Sequence, residues 1–159
     1  MKINNGFMKH HDGSESPQNL MLVNSDKECV LFYGHGTDDT GGFRWRKDYD
    51  HRPTREEIQA DIEALINEQV SERIREGMVY DNIHVWLSDE NQLNFRSTPT
   101  IPVRFKLGNY ADGTTAYKIF ETREELESFN GVVADHIARC LNDGWDEKDA
   151  VDYSVYENV

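Results

Sequence analysis

The sequence predicts an α+β fold: small antiparallel hairpins packed against two amphipathic helices, with an N-terminal arm and a C-terminal strap. Three observations carry this. Runs of alternating polarity flank turn residues near 78–87 and 103–120. Residues 54–77 and 122–144 space their apolar positions by three and four. Both of those stretches open on a capping box, Thr54-Arg55-Glu56-Glu57 and Thr122-Arg123-Glu124-Glu125. A chain of 159 residues is one domain's worth. Chains of about 150 residues bury roughly 68–70% of their unfolded surface, so a core can form without disulfide or metal staples.

Four segments follow from the N-terminus: an arm over 1–18, a β region over 19–47, an α+β domain over 48–145 and an acidic strap over 146–159. The arm is polar and rich in turn formers, His10-His11-Asp12-Gly13-Ser14-Glu15-Ser16-Pro17, with no periodicity. Such a terminus stays ordered only where its own domain or a partner holds it. Leu20–Val23 and Cys29–Tyr33 read as a hairpin around the turn residues Asn24-Ser25-Asp26-Lys27. Residues 34–42, glycine-rich, read as a loop. Phe43-Arg44-Trp45-Arg46 alternates, which puts both rings on one face of a short strand.

After Pro53, the first helix carries Ile58, Ile62, Leu65, Ile66, Val70 and Ile74, and Gly77 suits the left-handed residue that closes it. Asp81-Asn82 both tolerate positive φ and form a two-residue hairpin turn between Met78–Tyr80 and Ile83–Leu87. Ser88 starts a short helix carrying Leu93 and Phe95. Val103–Leu107 and Ala116–Phe120 form a second hairpin around the Asp112-Gly113 turn. The last helix presents a stripe of Leu126, Phe129, Val132, Val133, His136, Ile137, Cys140 and Leu141, and Asn142-Asp143-Gly144 ends it. Beyond it Trp145, Tyr153 and Tyr156 stand among five acids and one lysine.

Thirty acids against seventeen bases give a net charge of -13, which opposes gripping a phosphate backbone and excludes a simple nucleic-acid partner. No apolar run approaches the roughly 18 residues that span a bilayer, so no membrane partner is expected. Cys29 and Cys140 fit no CxxC pattern and read as buried, reduced thiols.

Chemistry finds few footholds. Three histidine groups invite a metal: His10-His11-Asp12, His35 with Asp38-Asp39, and His51 after Asp48-Tyr49-Asp50. None has an HxxxH or HExxH spacing, so no metal ligands are assigned. The glycines of 34–42 lack the lysine of a phosphate loop and precede a strand, so no cofactor is assigned. No serine sits in GxSxG, and no catalytic residue is named. Phe43, Trp45 and Arg46, with Trp145, Tyr153 and Tyr156, are the candidate partner-binding residues, because a few aromatic and arginine anchors dominate most protein contacts.

The order of motifs over 43–149 carries a resemblance. It runs Trp45-Arg46-Lys47-Asp48-Tyr49-Asp50-His51, Pro53-Thr54 and a helix with Asn67-Glu68-Gln69 and Arg73-Ile74-x-x-Gly77. Then follow Val85-Trp86-Leu87-Ser88, Glu90-Asn91-Gln92-x-Asn94-Phe95, Pro102-Val103-x-Phe105-Lys106 and Leu141-Asn142-x-Gly144-Trp145. This is similar to an uncharacterised domain of phage and prophage tail-fibre and tail-fibre-assembly proteins from phages of gut bacteria. The stretch Ser97–Ile101 is shorter than in many relatives. The resemblance implies a non-enzymatic structural or assembly role in a virion. Its partners would be other phage structural proteins, in a homo-oligomer or a larger assembly. Two other roles fit the sequence: a non-virion assembly factor that binds fibre subunits, and an acidic mimic of DNA that blocks a defence nuclease.

Overall fold

The computed structural model describes residues 5–25 and 28–157, with the side chains of Asn24 and Ser25 outside the description. The turn expected at 24–27 therefore falls partly outside the described residues, at Asp26 and Lys27. Among the described residues the architecture is α+β, with two antiparallel four-stranded sheets and three α-helices. The chain divides into two compact units, 1–68 with 147–159, and 69–146. These follow other boundaries than the four segments read from the sequence. The division passes through two long helices, so neither end of the second unit lies in a linker.

The first unit is built on a sheet of β1 (Met8–His11), β4 (Gly41–Tyr49), β3 (Glu28–Asp38) and β2 (Leu20–Ser25), in that spatial order. Part of the expected arm is thus a strand, paired from Met8↔Arg46 to His11↔Phe43. Lys9 and His11 both reach the Asp38 carboxylate, and Arg44 holds Asp12 at 2.6 Å. These pairs tie down a segment whose composition alone reads as loose.

The expected loop at 34–42 is mostly strand as well. β3 runs on through Gly34 and Gly36, with a register shift between Tyr33 and Gly36. Gly36 lies opposite Phe43, and a Cβ there would stand 2.3 Å from the tip of that ring. The glycine therefore admits an aromatic side chain rather than cradling a ligand.

α1 (Arg55–Glu76) starts as its capping box predicts: the Glu57 amide donates to Thr54 Oγ1 at 3.2 Å. Ile58, Ile62, Leu65 and Ile66 of its first part are buried, and Asp61 receives both Tyr49 Oη and Lys47. The C-terminal segment closes the same unit. Tyr156, in the 3-10 helix Tyr153–Tyr156, donates its hydroxyl to the Phe32 carbonyl at 3.1 Å. Tyr33 Oη donates to Glu147 at 2.9 Å.

The second unit holds the sheet β5 (Met78–Tyr80), β6 (Ile83–Val85), β7 (Val103–Tyr110) and β8 (Thr115–Phe120), a meander in chain order. Gly77 closes α1 with φ +81°. Asp81 and Asn82 take φ 51° and 61°, the turn their side chains favour. α2 (Asp89–Arg96) and α3 (Arg123–Ala150) cover the inner face of this sheet. Val85, Leu87, Phe95, Leu107, Phe120, Leu126 and Phe129 are fully buried there. Phe95 and Phe120 each lie 5.2–5.3 Å from the Phe129 ring. Apolar burial of such side chains stabilises by roughly 1.5–3 kcal/mol each.

α3 does not stop at Gly144 but runs to Ala150. Gly144 is buried in mid-helix, where a Cβ would come within 2.4 Å of Val70 Cγ2. Its role is close packing, not termination, so the expected strap at 146–159 begins only after Ala150, five residues later, and docks in its own chain.

Candidate functional site

The histidine groups resolve into local polar pairs. His51 stands between two acids, with Nδ1 2.8 Å from Asp50 and Nε2 2.7 Å from Glu57. Both contacts favour the imidazolium, and they raise the pKa of this half-exposed ring above its ordinary value. His35 Nε2 donates to the Ser14 carbonyl at 2.6 Å, and His11 pairs with Asp38. Among the described residues no group of three His, Cys, Asp or Glu side chains converges as metal ligands do.

Cys29 and Cys140 are free and buried. His136 Nε2 lies 3.7 Å from Cys140 Sγ, one helical turn away. Burial pushes the Cys140 thiol up, so the pair favours thiol over thiolate, the reverse of what an attacking cysteine needs.

One cavity in the first unit measures about 200 Å³ and is lined by Arg52, Pro53, Arg55, Ile58, Tyr153, Tyr156 and Glu157. Arg55 and Glu157 pair across it at 3.2 Å. It is small beside the 300–1,000 Å³ of ordinary ligand sites.

The six candidate partner-binding residues separate sharply. Phe43, Trp45, Tyr153 and Tyr156 are all buried in the first unit. Phe43 and Trp45 lie on one sheet face as their alternation predicts, edge to face at 5.3 Å. Arg46 is engaged with Asp48 at 2.7 Å and lies near the Phe32 ring. Of the six, Trp145 alone presents a ring to solvent, with 55% of its surface exposed.

A different surface gathers what those residues lack. The outer face of the second sheet carries Val79, His84, Trp86, Arg104, Lys106, Tyr117 and Ile119. The register sets them there: Arg104 lies opposite Ile119, and Lys106 opposite Tyr117. Val79 is 72% exposed, Ile119 53% and Tyr117 48%. No outward-facing residue of these four strands is acidic. The Arg104 guanidinium lies over the Tyr117 ring at 3.9 Å, and His84 stacks on Trp86 at 4.0 Å. Trp86 Nε1 donates to Asn109 at 2.9 Å. Lys9, Arg44, Arg46, Lys47 and Arg55 each pair with a carboxylate. Arg104 and Lys106 have no carboxylate partner among the described residues.

Sequence reasoning passed over this face because Tyr117 and Ile119 resemble core residues. The available signal was the alternation itself: Val103, Phe105 and Leu107 point inward, which leaves Arg104 and Lys106 on the other side. Pairing across the hairpin then assigns Tyr117 and Ile119 to the same side, with a register shift at Lys106/Gly108 that turn-residue counting does not reveal.

Among the described residues no helix is long and apolar enough to cross a membrane. Comparison with known proteins finds no family model, no curated protein and no solved structure that matches the chain.

Proposed function

We propose that this protein acts through protein–protein contacts, as a structural or assembly component of a bacteriophage particle in the tail, fibre or capsid-associated region. The observation that carries the reading is the outer face of the second sheet, which exposes aliphatic and aromatic side chains together with two cations that have no carboxylate partner among the described residues. Exposed aromatic side chains beside arginine are among the residue types enriched at protein interfaces. The motif order over 43–149, similar to a phage tail-fibre-type domain, supplies the biological setting.

The test is quantitative mass spectrometry of particles purified from the phage that encodes this chain. A constant copy number per particle is expected. Absence from particles, with retained binding to monomeric fibre chains, moves the protein to the class of assembly factors that leave. Absence of both rejects the reading.

A further inference from the structure

We infer that the outer face of the second sheet binds the outward stripe of α3 from a second copy of this chain, in a head-to-tail contact. The inference rests on the reading that the protein works by protein contacts, and is independent of whether those contacts lie in a virion. The stripe is set by spacing. Glu124, Glu127, Gly131, Ala134, Ala138, Leu141 and Trp145 recur at alternating steps of three and four, so they share one face of the helix. Every one of them is exposed. Leu126, Phe129, Val133 and Cys140, which form the buried face, lie at other positions.

The two surfaces are complementary in kind. One offers Arg104 and Lys106 beside Ile119 and Tyr117; the other offers Glu124 and Glu127 in line with Leu141 and Trp145. Neither Glu124 nor Glu127 has a cationic partner among the described residues. Within one copy, α3 already covers the inner face of the same sheet. The contact between copies repeats that helix-on-sheet layering with the outward surfaces.

Alternatives fit less well. A two-fold pairing of sheet on sheet would bring Arg104 and Lys106 toward their own copies, and like charges repel. A single-stranded nucleic acid needs free ring faces for its bases. Here Arg104 covers Tyr117 and His84 covers Trp86, in a chain of charge -13. A head-to-tail contact uses different patches on the two partners, and so builds rings or open filaments rather than closed dimers.

Sedimentation velocity on the full chain over a range of concentrations tests this. The wild type is expected to associate with rising concentration, and salt is expected to weaken the association. The double variants Arg104→Glu/Lys106→Glu and Glu124→Lys/Glu127→Lys should each lose it, by roughly tenfold or more in Kd. An equimolar mixture of the two should associate again, because native and reversed patches then oppose each other with opposite signs. Circular dichroism checks that each variant is folded, and recovery in the mixture excludes misfolding as the cause of loss. A wild type that stays monomeric overturns the inference, as does a mixture that fails to recover association. So does binding of an oligothymidylate that depends on Arg104 and Lys106 without self-association. None of these results bears on whether the chain is found in particles.

Discussion

Tyr153 and Tyr156 lie three residues apart in one 3-10 turn, and their hydroxyls meet different surroundings. Tyr156 Oη donates to a strand carbonyl, whereas the buried Tyr153 Oη has no hydrogen-bond partner among the described residues. A net hydrogen bond is worth about 1 kcal/mol, and an unmatched buried hydroxyl costs free energy. Tyr156→Phe should therefore lower Tm by roughly 2–4 °C. Tyr153→Phe should leave Tm unchanged or raise it; calorimetry on the pair separates the two cases. His51 makes a pH-dependent contribution of fixed sign. Its folded pKa is raised by Asp50 and Glu57, so its stabilisation is complete below the ordinary value of 6.5 and is lost as pH rises through the folded value. The His51 contact in turn lowers the Asp50 pKa, so at the acid end that pair's contribution fades as Asp50 protonates. The Tm difference between wild type and His51→Gln should be largest near pH 6 and vanish in alkaline buffer.

Helix ends show which local rules survive in the folded chain. The capping boxes at Thr54 and Thr122 were legible because each is a contact between neighbours: the amides of Glu57 and Glu125 donate to the two threonine hydroxyls. Ser88 likewise accepts from the Asn91 amide, and Gly77 takes the left-handed conformation expected of it. Gly144 misleads because its reason is distant in sequence. Nothing near it announces that Val70 will pack where a side chain would be. Gly36 misleads in the same way, through Phe43. In a helix interior Ala is favoured over Gly by about 1 kcal/mol. Gly144→Ala should nevertheless destabilise, because overpacking against a stiff valine costs about 1–3 kcal/mol. Adding Val70→Ala should restore part of that loss, and denaturant unfolding of the single and double variants gives the coupling directly. The candidate interaction face was half legible. Alternation places Arg104 and Lys106 outward, but only strand register brings Tyr117 and Ile119 beside them.

On the scale of the whole molecule, the first unit is discontinuous in sequence: residues 69–146 form the second unit, and 147–157 return to the first. Tyr153 and Tyr156 bring buried rings to it, and Glu147 brings the acceptor for Tyr33. A chain ending at Asp146 should lose amide-exchange protection in β1–β4, which hydrogen exchange read by mass spectrometry would show. Retained protection there would mean the sheet is complete without its returning segment. The same interleaving fixes the order of events at the ribosome. The sheet that emerges first from the exit tunnel waits for more than a hundred later residues before Tyr156 reaches the Phe32 carbonyl. The second unit's strands and most of α3 leave the tunnel in that interval, so the part translated earliest is the part finished last.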